Sequence, residues 1–333
     1  MTIRVLHVGL GPIGAAVARQ VATRKGFKVV GAVDIDPAKA GRDLGEIAGL
    51  GRPLRLKVTE DVRSAIKRTR PDVAILCTSS SLAKVVPEIE TVLGARVPIV
   101  STTEELAYPA GRNRRLAARI DARARKARVA VLGTGVNPGF AMDALPITLT
   151  AVCESVKAIR VDRVQDARVR RLPFQQKIGA GLTPEQFEAK VAGGSVRHVG
   201  LTESISMIAD AMGWKLDRIT DEIRPKIAEQ DVASEFLRVR KGLVCGILQD
   251  GVGYRDGAPL VTLHMEAYLG APESFDGVRV EGVPPLEMKI RGGVHGDVAT
   301  ASITVNSIPR VLQAPPGLHT MRSLPIPSWY GGR

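Results

Sequence analysis

The chain has 333 residues, 44% of them hydrophobic, which suits two globular domains, each large enough for its own core. A formal charge of +13 raises the question of nucleic acid. The basic residues are nevertheless scattered outside 112–128, which reads as one solvated helix face, and six Phe, two Trp and four Tyr form no stacking platform interleaved with arginine, so no nucleic-acid partner is expected.

The charge is assigned instead to solubility and to attraction of an anionic cofactor. Cys77, Cys153 and Cys245 are far apart and odd in number, so neither a zinc site nor a disulfide framework is expected, and they read as core thiols of a reducing compartment. Residue 1 leads directly into an apolar strand, which predicts no leader, and no apolar run approaches the ~20 residues that span a bilayer. The expectation is a soluble, cytoplasmic protein with no membrane partner and no bound metal.

Ile3 to Val8 predicts a buried strand and Ala15 to Thr23 the following helix, joined by Gly9-Leu-Gly11-Pro12-Ile13-Gly14. The first glycine permits the tight turn, the second lets a pyrophosphate approach the backbone, and the third lets helix pack on strand. The helix N-terminus offers unpaired N–H groups and a partial positive charge to the phosphates. Lys28 to Val33 predicts a second strand, delivering Asp34 about 20 residues beyond Gly14, where a carboxylate can accept hydrogen bonds from the adenosine ribose. Strand, glycine turn, helix, second strand and acid together predict a dinucleotide-binding unit.

Beyond Asp36, a short turn-helix carries Lys39 and Arg42, either of which could reach a 2′-phosphate that Asp34 would repel, so NAD and NADP both stay open. Leu54 to Val58 reads as a short strand, Glu60 to Arg68 as a short helix, and Asp72 to Cys77 as an apolar strand ending in Thr78-Ser79-Ser80-Ser81. Ligands of parallel sheets bind outside the carboxyl ends of strands, so these hydroxyls either bond the cofactor or cap the helix Leu82–Leu93. Val97 to Val100 is then the fifth strand, followed by the adjacent acids Glu104 and Glu105, where a strand end faces the nicotinamide. Arg112 to Lys126 predicts an arginine-rich helix. Arg128 to Leu132 predicts a sixth strand, breaking into a glycine-rich loop in which Asn137 could bond the carboxamide and Phe140 form an apolar wall.

The alternation stops near residue 140. Val156–Val164, Phe236–Leu248, Leu260–Tyr268 and Leu286–Ile290 read as strands, with helices at Pro184–Val191 and Leu201–Met212 between them. They predict a mostly antiparallel sheet, a platform that closes the cleft and pairs subunits as a homodimer. His198, at a helix start, and His264, on a strand, are candidates for the substrate pocket; His7, inside the first strand, is structural. Asp297 is expected to cap a last helix, Val298–Ile308, stopped by Pro309 and returning to the first domain, with the tail from Pro315 adding little to any core.

The fold class expected is thus α/β, a Rossmann-type doubly wound parallel sheet plus a second α+β domain with a mostly antiparallel sheet. Residues 1–140 form the dinucleotide-binding domain, which 297–333 rejoin, and 141–296 form the substrate-binding and oligomerisation domain.

Five stretches carry a resemblance: Val8-Gly-Leu-Gly-Pro-Ile-Gly14; Asp34-Ile-Asp-Pro with Gly41-Arg-Asp-Leu-Gly45; Ser101-Thr-Thr-Glu-Glu-Leu106; Gly135-Val-Asn-Pro-Gly-Phe140; and His198-Val-Gly-Leu-Thr-Glu203. Over about residues 3 to 310 the chain resembles the 2,4-diaminopentanoate dehydrogenases and related native amine dehydrogenases. The resemblance implies reversible NAD(P)H-dependent conversion of an amine to a carbonyl compound and ammonia. It also implies a catalytic glutamate at the strand end, carried onto Glu104 with Glu105 as the second choice. The chemistry agrees independently, because oxidising an amine requires loss of an N–H proton and produces a cationic iminium, both of which suit a carboxylate. Sugar and cyclitol dehydrogenases share the first half but carry Glu-Lys-Pro where this chain has Glu104-Glu105-Leu106. Dihydrodipicolinate reductases share the N-terminal domain but have a paired-histidine motif absent here. The alternatives are an NAD(P)-dependent reductase of another small carbonyl or imine substrate and, from another class, a non-catalytic NAD(P)-sensing protein.

Overall fold

The structure is a computed structural model that describes residues 2–109, 113–196 and 198–332. The chain divides into two compact units, Met1–Phe140 with His295–Arg333, and Ala141–Val294.

In chain order the first unit holds β1 (Ile3–Val8), α1 (Pro12–Thr23), β2 (Phe27–Val33), α2 (Leu44–Ile47), α3 (Val62–Thr69), β3 (Val73–Leu76), α4 (Leu82–Gly94), β4 (Ile99–Ser101), α5 (Glu104–Ala107), α6 (Arg114–Ala127) and β5 (Ala130–Gly133). The second unit holds α7 (Ala144–Leu149), β6 (Ser155–Asp166), α8 (Leu172–Lys177), α9 (Pro184–Ala192), α10 (Leu201–Ala211), β7 (Arg218–Ile227), β8 (Val232–Ala233), β9 (Arg238–Val239), β10 (Val244–Arg255), β11 (Ala258–Tyr268), β12 (Phe275–Val283) and β13 (Leu286–Arg291). The chain then returns to the first unit with α11 (Gly296–Gln313) and β14 (Gly317–His319).

The first unit's sheet runs β14-β5-β4-β3-β1-β2, every pairing parallel. Its strands are short apolar runs because helices cover both faces of such a sheet. Leu76, Ile99 and Val131 pack with Val85, Ile89 and Val92 of α4 and Ile120 of α6. Elsewhere α11 packs on α1 and on the strands β3 to β5.

Four expectations fail in this unit, each for a local reason. Leu54–Val58 alternates like a strand, but its amides go elsewhere: Leu54 and Leu56 N–H both donate to the Asp43 carboxylate, leaving only isolated bridges at Lys57 and Thr59. The strands expected as fifth and sixth are therefore β4 and β5. Pro309 does not end α11, which continues to Gln313 because Ile308 and Val311 anchor its last turns in the core. The helix is capped by His295, whose Nδ1 faces the Val298 amide at 3.5 Å, and Asp297 occupies the first turn instead. The tail also has a core role: β14 extends the sheet, Met321 and Leu324 are buried, and Tyr330 meets Phe27 edge-on at 5.2 Å. Of the helix expected from Arg112, the first residue lies outside the described residues.

The second unit is a six-stranded mixed sheet, β13-β12-β6-β11-β10-β7, in which only β6–β11 is parallel. One face is covered by α10, which approaches closely over Gly251 and Gly253; a Cβ would meet Ile205 Cδ1 at 3.0 Å at the first and Ile205 Cγ2 at 2.8 Å at the second. Phe187 of α9 packs with Ile247, Met265 and Ala267 in the same unit, a burial worth about 2–3 kcal/mol for that ring. The expected strand Phe236–Leu248 is broken. Ser234 Oγ gathers the amides of Phe236 and Leu237 into a turn, and the long strand begins only at Val244. β7 and β12, whose charged alternation hides them in the sequence, were not expected. Among the described residues no helix is long and apolar enough to cross a membrane.

Candidate active site

The glycine turn between β1 and α1 has the steric division of labour its spacing implies. Gly9 adopts φ +88°, and a Cβ there would lie 2.6 Å from the Cys77 carbonyl oxygen. Gly14 allows no Cβ, which would fall 2.0 Å from Gly9 O. Around Gly11 nothing of the protein lies within 4 Å of a Cβ, so this position is open where a ligand can come against the backbone. Pro12 is the first helical residue and gives up no hydrogen bond there, while Ile13 and Gly14 follow with first-turn amides. His7 lies beneath the turn, fully buried, with Nε2 donating to Gly9 O at 3.1 Å and Nδ1 without a partner among the described residues. Burial lowers the His7 imidazole to about 4, so the ring is neutral.

Asp34, 8% exposed at the end of β2, is tied to this turn: its carboxylate accepts the Leu10 amide at 2.6 Å and the Asp36 amide at 2.9 Å. Lys39 Nζ reaches both Asp34 Oδ2 and Asp36 Oδ2 at 3.2 Å. Arg42 turns instead to Glu46 at 2.5 Å, an exposed i,i+4 pair.

The hydroxyl run after β3 divides its work. Thr78 Oγ1 donates to Glu88 Oε2 at 2.7 Å, Ser79 Oγ accepts the Ser81 amide, and the Ser80 carbonyl accepts the Glu105 amide. Burial raises the Glu88 carboxyl, with the Thr78 hydrogen bond opposing it. Glu88 sits nearly two turns inside α4 and nothing in its sequence context marked it.

The acid pair separates. Glu105 is 5% exposed, and its Oε2 accepts the Leu82 amide at 2.8 Å, the first N–H of α4. Ser81, the residue positioned to cap α4, makes no side-chain cap bond. The side-chain cap of α4 is therefore a glutamate from α5 rather than the hydroxyl run, which gives the Glu105 carboxylate a structural task at a helix N-terminus. Glu104, half-buried at the start of α5, makes no hydrogen bond or ion pair among the described residues. Its charge faces Cys77, whose thiol is pushed up to about 12 by burial, against the Thr102 hydroxyl and with Glu104 adding to the rise. Cys77 thus joins Glu104 to the glycine turn, since its own Cβ lies 3.3 Å from where a Cβ of Gly14 would stand.

After β5, the Thr134 hydroxyl is buried without a partner among the described residues. The loop beyond it is folded on itself, with a Cβ at Gly139 meeting Gly135 N at 2.5 Å, and the Val136 amide reaches Thr300 Oγ1 of α11 at 3.3 Å. Asn137 lies within this loop and Phe140 closes it, each half-buried.

In the second unit the two histidines are not brought together. His198 is held by its backbone, with N–H donating to Gln249 Oε1 at 3.3 Å and the carbonyl accepting Gln249 Nε2 at 3.1 Å. Gln249 is fully buried and also donates to Asp221; a polar residue at a buried position of an alternating strand is the signal that could have found it. His264 is clamped by Asp250 Oδ1 at 2.6 Å and Glu266 Oε1 at 2.8 Å. Burial acts to lower its imidazole, but the bonds to Glu266 and Asp250 outweigh this and hold it above its ordinary value. Gln249 and Asp250 are successive on β10 and so project to opposite faces of the sheet, taking His198 and His264 with them. Both ring nitrogens of His264 are engaged, and it is part of a charged cluster on the sheet face away from α10.

Sequence and fold place the chain among known proteins. A family model described as the 2,4-diaminopentanoate dehydrogenase C-terminal domain matches residues 140–332, and one for the dihydrodipicolinate reductase N-terminus matches 3–121. The chain is 34% identical to 2,4-diaminopentanoate dehydrogenase of Acetoanaerobium sticklandii, over 98% of this chain and 94% of that protein. It is 22% identical to an amine dehydrogenase of Streptomyces virginiae, over 96% and 95%. The solved amine dehydrogenase of Mycobacterium smegmatis superposes with a TM-score of 0.87 at 26% identity, covering 100% of this chain and 99% of that one. The chain belongs to the 2,4-diaminopentanoate dehydrogenase family.

Proposed function

We propose that the protein is an NAD(P)-dependent amine dehydrogenase that reversibly converts an amine to a ketone or aldehyde plus ammonia, with Glu104 as its catalytic carboxylate. The observation that carries the assignment is the division of labour in the acid pair: Glu105 is spent on α4, and Glu104 keeps its charge unpaired at the carboxyl end of β4.

The first unit fits a dinucleotide. The backbone at Gly11 is open, the first turn of α1 offers amides and no acidic side chain, and Asp34 stands at the ribose position. When bound, the nicotinamide takes up or returns the hydride. In oxidation Glu104 accepts a proton from the substrate ammonium, leaving the neutral amine to give up its hydride. Once that proton has passed to solvent, the carboxylate steadies the iminium cation until water adds to its carbon and ammonia departs; in the reverse direction it holds ammonia and steadies the same cation as water is lost. The Thr134 hydroxyl and Asn137 are the polar groups of the β5 loop assigned to the nicotinamide end, and Thr78, Ser79 and Ser80 form the rim by the ribose and phosphates. Phe140 and His198 are assigned to the substrate side.

The open face of the second unit's sheet measures on the order of 700 Å² from strand spacing and rise. This is near the ~800 Å² per partner of a stable interface, and we read the enzyme as a homodimer joined through that face. The three cysteines are free, which suits the cytoplasm. The test is a spectrophotometric panel of ketones and aldehydes with ammonia and each reduced cofactor. Oxidation of the cofactor that requires both carbonyl and ammonia is expected; oxidation independent of ammonia would reassign the protein to carbonyl reduction.

A further inference from the structure

Lys39 is the cation nearest the ribose position, and its surroundings decide whether it can serve a 2′-phosphate. Its ammonium is shared between Asp34 Oδ2 and Asp36 Oδ2, both at 3.2 Å. Its backbone amide bonds the Asp36 carbonyl at 2.9 Å, so a turn fixes it over these acids. Asp34 cannot swing aside, being held by the Leu10 and Asp36 amides. Arg42, the next cation along the chain, is paired with Glu46. Two carboxylates and one ammonium leave one net negative charge at the carboxyl end of β2. Burial acts to lower the Lys39 ammonium, yet hydrogen bonds to Asp36 and Asp34 outweigh it and keep the group firmly charged.

We propose that Asp36 is a cofactor-specificity residue: by sharing Lys39 with Asp34 it denies the ammonium to the 2′-phosphate of NADP(H), and the site selects NAD(H). The inference rests on the dinucleotide reading above and deepens it. Asp36 is suited to this role because the fold uses only part of it. Oδ1 accepts the Ala38 amide at 3.0 Å, while Oδ2 serves Lys39, and its side chain is 44% exposed. Asp36→Asn keeps an oxygen for the Ala38 amide and removes only the charge. One elementary charge at about 4 Å in water changes an equilibrium roughly five- to tenfold.

The experiment is fluorescence titration of the intact protein with NADH and with NADPH, for wild type, Asp36→Asn, and Asp36→Asn combined with Lys39→Met. Wild type is expected to prefer NADH. Asp36→Asn should lower the NADPH-to-NADH ratio of dissociation constants about five- to tenfold, and Lys39→Met in that background should cancel the gain. Saturable NADH binding with an unchanged ratio in Asp36→Asn, a gain that survives loss of Lys39, or a wild-type preference for NADPH overturns the role of Asp36 alone. Failure of wild type to bind either dinucleotide overturns the dinucleotide reading and this inference with it.

Discussion

Glu104 and Glu105 have the same chemistry and adjacent positions, and their surroundings give them different work. A carboxylate accepting a helix's first amide in a site 5% exposed serves stability, and removing it leaves a buried donor unpaired at a cost of about 1–3 kcal/mol. Glu104, proposed above as the catalytic carboxylate, has no such structural partner among the described residues. Glu104→Gln is therefore expected to lower kcat by roughly 10²–10⁴-fold with little change in melting temperature, whereas Glu105→Ala should lower melting temperature and retain turnover per folded molecule. Thermal unfolding and steady-state rates on the two variants separate the roles, and exchanged phenotypes would move the catalytic assignment to Glu105.

The same scale gives a pH dependence. His7 is neutral in the fold with its value lowered to about 4 by burial, while in the unfolded chain it titrates near 6.5. The unfolded state thus binds the extra proton, and stability falls as pH drops from about 6.5 to about 4, by roughly 3 kcal/mol in all. His264 has the opposite sign: its raised value gives stability below its unfolded value that is lost as pH rises through the folded one. Denaturant unfolding of His7→Phe across pH 4–7 should show a slope smaller by about one proton than wild type; equal slopes would mean that His7 does not titrate with unfolding.

At the level of elements, what was legible followed from backbone constraints that side-chain pattern can report. The β1–turn–α1–β2 unit was readable because Gly9 and Gly14 answer to contacts within a few residues or on the adjacent strand, and apolar runs mark fully covered strands. β7 and β12 were not, because Arg218–Ile227 and Phe275–Val283 carry charges on an uncovered face and owe their state to paired backbone. Leu54–Val58 misled in the other direction, since its pattern is that of a strand and its amides are taken by Asp43. The capping of α4 by Glu105 was illegible for a similar reason: the partners are 23 residues apart and on different elements.

The glycine turn offers a discriminating pair of variants. Gly14→Ala drives a Cβ onto Gly9 O and should unfold or severely destabilise the first unit. Gly11→Ala meets no protein atom, so it should fold with near wild-type melting temperature yet lose dinucleotide affinity. Retained NADH affinity in Gly11→Ala would remove this turn from the phosphate site.

For the whole molecule, the decisive feature is that the first unit is discontinuous. Its sheet ends in β14, and α11 packs on α1 and β3 to β5, so residues after 294 complete a unit begun at the N-terminus. Gln20 bonds Ser302, Arg24 bonds Asn306, and Tyr330 covers Phe27, so both helix and tail are tied to the opening βαβ motif. The second unit closes its own end differently. The buried pair Arg163–Asp276 holds both backbone groups of Val294, with Arg163 donating to its carbonyl at 2.7 Å and Asp276 accepting its amide at 2.7 Å. The last residue of that unit is thus fixed by groups within it, whereas the first unit lacks part of its core until the chain's end is made. Ending the chain after Val294 should therefore abolish dinucleotide binding while leaving a protease-resistant core spanning about residues 141–294. Limited trypsin digestion with mass analysis, together with NADH titration, reads both halves of this expectation. NADH affinity equal to the full chain's would show that β1, α1 and β2 hold the cofactor without α11, and digestion of the second unit at the same rate as the first would show that its core does not stand alone.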